Sequence, residues 1–179
     1  MSTMENTQYL TASVTIDRAP ERVLAAVLDV RGWWTENLIG HSAAVGDEFV
    51  FTDDAAYPGE TSRAKEGIRF CRFRITEVSP TRVAWHAVDC EMTFIEDRHE
   101  WRDTDVIIDL TPVDRGTELR LTHVGLTAES ECFEACSRGW SFYVRTSIPQ
   151  LVTTGAGQPI PRYPDADGAG GAAPSETRA

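Results

Sequence analysis

His123 is the polar residue of this sequence with the clearest claim to chemistry. It alternates with Leu119 and Leu121 in a strand pattern, so all three share the face that must turn toward a core. An inward imidazole beside a cavity can act as general acid or base, or anchor a ligand by a hydrogen bond. The same position equally suits a core histidine held by backbone groups, and the pattern favours that plainer reading. Cys132 and Cys136 stand one helical turn apart. Two thiols on one helix face could ligate a metal, but a structural site needs about four ligands. Cys71 falls on the inner face of its strand and Cys90 on the outer face of the next, while His41, His86 and His99 have no ligand spacing. The expectation is thiols packed as small hydrophobes, with no metal and no cofactor. A dyad of Cys136 with His123 would need an oxyanion hole, for which the sequence offers nothing. Trp33, Trp34, Trp85, Trp101 and Trp140 could wall a pocket for an apolar or aromatic molecule, or fill a core. Glu91, Glu96, Asp97 and Glu100 crowd a polar stretch that reads as solvated surface.

The elements that must position these residues follow from periodicity. Residues 9–17 alternate, with Leu10, Ala12, Val14 and Ile16 on one face. Pro20 suits a first helical position, and Val23, Leu24, Val27 and Leu28 continue at helical spacing to residue 29. Two adjacent indoles, Trp33 and Trp34, cannot both enter one core from a strand, so a second short helix or tight loop carries them. Strands are expected at 48–52, 68–78, 82–89, 104–112 and 117–124, with a further short one allowed near 92–95. Residues 53–65 read as a loop. The long C-terminal helix is expected over 129–152, with Cys132, Cys136, Trp140, Val144 and Ile148 recurring every four residues. Two residues strain it. Gly139 costs about 1 kcal/mol against alanine in a helix interior. Pro149 lacks a donor and presses on the carbonyl of Arg145, which predicts a kink or an early end.

Length and charge set further limits. The 179 residues suit one domain, expected over 9–159 between a flexible 1–8 and a disordered 160–179. The net charge of −11 opposes phosphate backbones and anionic membrane surfaces, so nucleic acid and membrane are excluded as partners. Residues 1–8 are polar, with no basic stretch leading into an apolar run. No secretory signal is expected, and with it a cytoplasmic location and reduced thiols. The tail from Pro161 has no apolar period, so truncation after Arg162 is expected to leave the melting temperature unchanged. A drop of several degrees in a thermal melt would show that the tail docks.

Several segments, in order, resemble the SRPBCC (START-like) superfamily, and within it the domains related to activator of Hsp90 ATPase homologue 1 (AHSA1-like). They are Ala19-Pro20-Glu21-Arg22-Val23, Trp33-Trp34, Gly46-Asp47, Val83-Ala84-Trp85, Gly116-Thr117-Glu118-Leu119, Thr122-His123-Val124-Gly125-Leu126, Cys136 with Gly139-Trp140-Ser141, and Thr154-Gly155-Ala156-Gly157-Gln158-Pro159. The resemblance implies an α+β helix-grip (START/Bet v 1-like) fold, a curved antiparallel sheet wrapped around a long C-terminal helix. It also implies a deep apolar pocket. Relatives bind lipids, polyketides or other hydrophobic molecules, and some act as cyclases. The superfamily has no shared catalytic motif, so no catalytic residue is carried over. The Hsp90 link belongs to eukaryotic proteins with extra domains that this sequence does not carry, which disfavours a chaperone contact.

The cavity is expected between inner strand faces, supplying Phe49, Phe51, Phe73, Trp85, Ile108 and Leu121, and the helix, supplying Cys136, Trp140 and Val144. His123 and the pair Trp33-Trp34 complete the candidate site. Space is expected near one end of the helix, between Trp85, Trp140 and Trp33-Trp34, with Gly139 letting the helix approach the sheet. Three functions fit. The first is binding of a small hydrophobic molecule without obligatory chemistry. The second is a cyclase- or hydrolase-like enzyme with His123 as acid–base group. The third is an interaction module of the chaperone-accessory kind, and a homodimer stays open throughout.

Overall fold

The computed structural model describes residues 7–52 and 67–162. Most of the leading segment, the 53–65 loop and all of the tail after Arg162 lie outside these residues. Seven strands among the described residues form one antiparallel sheet: β1 (Leu10–Ile16), β2 (Leu38–Gly40), β3 (Glu48–Phe51), β4 (Ile68–Ser79), β5 (Arg82–Met92), β6 (Asp105–Val113) and β7 (Gly116–Val124). Their order is β1-β7-β6-β5-β4-β3-β2. Helices α1 (Pro20–Leu28) and α2 (Val30–Trp33) cross between the two edges, and α3 (Phe133–Phe142) opens the C-terminal helical run. No helix among the described residues is long and apolar enough to cross a membrane.

The strand parities hold where the ladder is regular. Leu10, Ala12 and Ile16 on β1 are buried, as are Val106, Ile108 and Leu110 on β6 and Leu119, Leu121 and His123 on β7. The β4–β5 ladder departs from regularity at three places. Each extra residue bends the strand and adds twist, which curves the sheet. One of them changes a side-chain assignment. Arg72 pairs with Asp89 but Phe73 pairs with Ala87, so Val88 is bulged out. The bulge reverses parity beyond it, and Cys90, expected on the outer face, is buried directly opposite Cys71.

The helical run also differs from its expected form. It starts at Phe133 rather than near 129, because residues 127–132 are turns held by Thr127, Ser130 and an incoming carboxylate. It then passes Pro149 without stopping. Residues Tyr143–Ser147 form a π-helical turn, and α4 (Ile148–Thr154) carries proline in its first turn. Widening the register before Pro149 removes the clash that a regular turn would impose. The run ends at Gly155, whose φ of 86° is the left-handed conformation that glycine adopts without penalty.

Residues 155–162 fold back on α2. Gln158 N–H donates to Ser147 Oγ (2.8 Å), and Ser147 Oγ–H donates to Trp33 O (2.7 Å). Ile160 N–H donates to Trp34 O (2.8 Å), and Ile160 O accepts from Glu36 N–H (2.9 Å). Residues 160–162, placed in the tail from sequence, are thus paired to the chain around Trp34, because one apolar residue in a polar stretch carries no period to read.

Candidate functional site

Between the sheet and the N-terminal half of the C-terminal helix lies a cavity of about 360 Å³. Helix α3 and the first π residue present Ala135, Cys136, Gly139, Trp140 and Tyr143 to it, a stripe at i, i+3/i+4 and i+7. Facing them are Phe51 of β3 and Ile68 at the start of β4. Trp34, Phe94, Trp101 and Ile160 close the sides from three separate loops. Among the described residues, no lining side chain carries a formal charge.

Of the residues expected from sequence, Trp34, Phe51, Cys136 and Trp140 meet at this cavity. Trp33, Phe49, Phe73, Trp85, Ile108, Leu121, His123 and Val144 are buried but do not line it. The aromatic cluster explains part of the difference. Trp34 stacks on Trp85 at 5.9 Å with the planes 5° apart, so the cavity meets Trp34 and not the ring behind it. Trp34 also stacks on Phe51 at 4.1 Å and packs against Trp140 at 4.8 Å. Trp33 continues the stack and donates its indole N–H to Val27 O (3.0 Å). Trp85 stands edge-on to Phe49 at 5.1 Å, and its buried indole N–H has no hydrogen-bond partner among the described residues. Ile108 and Leu121, opposite one another on β6 and β7, belong to the filled end, where α1 packs on the sheet.

The open space lies against Trp34 and Trp140 on the N-terminal half of the helix, with Trp33 and Trp85 outside its lining. Gly139 also plays a different part from the one expected. Among the described residues no heavy atom beyond its chain neighbours and the helix's own backbone lies within 4 Å of the place its Cβ would take, so it opens space instead of allowing close approach.

His123 sits behind the wall with both ring nitrogens occupied. Trp140 Nε1–H donates to His123 Nδ1 (3.1 Å), which makes Nδ1 the acceptor and puts the proton on Nε2. Nε2–H then donates to Thr104 Oγ1 (2.9 Å), and Thr104 Oγ1–H donates to Trp101 O (2.6 Å). Every polar atom of the chain Trp140–His123–Thr104 is satisfied. Burial pushes the imidazole down to about 3, so it is neutral at neutral pH. The ring is fully buried and does not line the cavity, and its two hydrogen bonds link the helix, β7 and the loop that carries Trp101.

That loop is clasped to the helix start by two carboxylates, Glu131 and Glu100, the second of which reads from sequence as solvated surface. Glu100 accepts from the N–H groups of Glu131 (2.8 Å) and Cys132 (2.9 Å). Glu131 accepts in return from those of Glu96 and Asp97, each at 2.9 Å. Charge-assisted bonds of this kind are roughly twice as strong as neutral ones. They set Phe94 and Trp101 against Ala135 and Cys136. Trp101 Nε1–H also reaches Cys132 Sγ at 3.4 Å, and the hydrogen bond to Cys136 together with burial pushes the Cys132 thiol up. Burial likewise raises the Cys71 thiol. Among the described residues no group of three or more His, Cys, Asp or Glu side chains is placed to hold a metal ion.

Sequence reasoning missed Gly67, Ile68, Phe94, Ala135, Tyr143 and Ile160 as cavity residues. Tyr143 and Ala135 were within reach, since both fall on the helical stripe. Phe94 and Ile160 gave no signal, because loops position them.

The comparisons with known proteins agree with this architecture. A profile of the family described as "Activator of Hsp90 ATPase homolog 1-like protein" matches residues 17–153. No curated protein matches the chain. Among solved structures, the Aha1 dimer from Colwellia psychrerythraea is similar, at 20% identity and a TM-score of 0.60, over 84% of this chain and 99% of that one. A protein from Mesorhizobium loti is similar at 17% identity and a TM-score of 0.58, over 81% and 96%. DynU16, a protein of the dynemicin biosynthetic locus, is 18% identical with a TM-score of 0.55, over 83% of this chain and 48% of that one. At such identities the likeness is one of fold.

Proposed function

The chain belongs to the Activator of Hsp90 ATPase homolog 1-like family, and from that premise we propose that it binds a small, flat, hydrophobic molecule between sheet and C-terminal helix. The observation that carries the reading is the cavity of about 360 Å³, walled largely by aromatic rings and free of formal charge among its described lining residues. Ligand pockets of small molecules start at about this size and have this composition. Burying roughly 300 Å² of apolar ligand surface at about 25 cal/mol per Å² gives about 7 kcal/mol. The cost of immobilising the ligand reduces this, so binding is weaker than the limit of roughly 10 μM that about 7 kcal/mol alone would set. The enzymatic alternative needs an acid–base group at the cavity, and His123 is fully buried and does not line it. The Colwellia relative described as a dimer supports carrying the homodimer in the proposal, which sedimentation against the 19.8 kDa monomer mass decides.

The test is titration with N-phenyl-1-naphthylamine, an uncharged fluorophore that brightens in apolar surroundings. Saturable emission at one site per chain, with matching quenching of tryptophan fluorescence, is the expected result. A linear, unsaturable response up to the solubility limit overturns the reading.

A further inference from the structure

Gly139 lies in the interior of α3, where glycine is the least favourable residue other than proline. Proteins keep such a glycine when a neighbour packs too close for a Cβ, or when the backbone must adopt positive φ. Neither holds here. Gly139 is not among the glycines with positive φ, and among the described residues no heavy atom beyond its chain neighbours and the helix's own backbone lies within 4 Å of its would-be Cβ. Gly157 shows the contrast, since its Cβ would meet Ser147 Oγ at 2.9 Å. The atom that Gly139 leaves out would project into empty cavity, between Cys136 one turn before and Tyr143 one turn after.

Resting on the cavity reading above, we infer that the bare helix backbone at Gly139 is the seat of the ligand and sets its class: an uncharged planar aromatic molecule lying flat against the turn from Cys136 to Tyr143. Ala135, Cys136 and Gly139 make that helix face low and smooth, and Phe51 and Ile68 face it from the sheet. Trp34 and Trp101 supply ring surfaces at the sides. An ionised group would enter a lining whose described side chains offer no formal countercharge, so they do not recover its lost hydration. The helix thus gives up local stability at a position where packing gains nothing, and the gain falls to whatever occupies the space.

Two substitutions and two probes of one shape test this. Gly139→Ala is expected to raise the melting temperature by about 2–4 °C, because alanine favours the helix and meets no neighbour, and to weaken N-phenyl-1-naphthylamine binding several-fold. Gly139→Leu, which fills the seat, is expected to weaken it at least tenfold. For the wild type, 8-anilino-1-naphthalenesulfonate has the same ring frame with a sulfonate added, and is expected to bind at least tenfold less tightly than the uncharged probe. Unchanged probe affinity in a folded Gly139→Leu, or a lower melting temperature in Gly139→Ala, overturns the seat. Equal affinity for the two probes overturns the ligand class. Should the wild type bind neither probe, the cavity reading itself fails, and with it this inference.

Discussion

Lowering the pH from 7 to 4 is expected to take roughly 3 kcal/mol from the wild-type fold beyond what the same change takes from His123→Gln. In the unfolded chain the imidazole takes up its proton near 6.5, whereas burial in the fold delays this to about 3. Between those values the unfolded state binds more protons. The contribution of His123 is therefore fully present above pH 6.5 and is lost as the pH falls toward 3, reaching on the order of 4–5 kcal/mol below it. Asp47 and Asp89, whose carboxyls are held low chiefly by backbone N–H groups and by Arg102 respectively, add a loss at lower pH common to both proteins. The difference between the two unfolding curves isolates the histidine. At neutral pH, His123→Gln starts less stable by about 1–3 kcal/mol, since Trp140 Nε1–H loses its acceptor. Urea unfolding at a series of pH values reads both quantities. Parallel curves for the two proteins would mean that His123 is not held neutral by its surroundings.

Trp140→Ala is expected to cost about 3–5 kcal/mol, which for a chain of this length lowers the melting temperature by on the order of 10 °C. The indole is 2% exposed and packs against Trp34 at 4.8 Å and Trp101 at 6.1 Å. Its removal enlarges a space that is already open, so the neighbours have no collapsed arrangement to fall back on. It also leaves His123 Nδ1 without its donor inside an apolar wall. Trp140→Phe separates the two effects, because it keeps most of the ring surface and loses only the N–H. Phenylalanine is expected to recover more than half of the loss. A cost below about 1 kcal/mol for alanine would show that the junction of helix, β7 and the Trp101 loop does not depend on this side chain.

The family resemblance and the periodic elements were legible because each depends on local order. Alternation in β1, β6 and β7 placed Leu10, Ile108 and His123 inward, and the four-residue recurrence of Cys136, Trp140 and Val144 placed a helix across them. Trp33-Trp34 announced a helical turn because only such a turn buries both rings. Cys90 was misplaced because a single bulged residue, Val88, has no sequence mark yet reverses every parity after it. Pro149 pointed to a break, but a π turn one step earlier absorbs the misfit, and that choice depends on what the surrounding turns pack against.

The sequence by itself determined which side chains face inward wherever the strand or helix is regular, since a period of 2 or 3.6 is a property of a few consecutive residues; at the Val88 bulge it did not. It also determined that the interior is aromatic and that its one inward histidine shares a face with leucines. Tertiary structure alone decided which of those inward residues meet empty space. That outcome depends on where Trp34 covers Trp85, on Glu100 and Glu131 clasping a loop to a helix start, and on Ile160 returning to the chain beside Trp34. Each of these contacts joins residues far apart in the chain, and no local pattern records a distance of that kind.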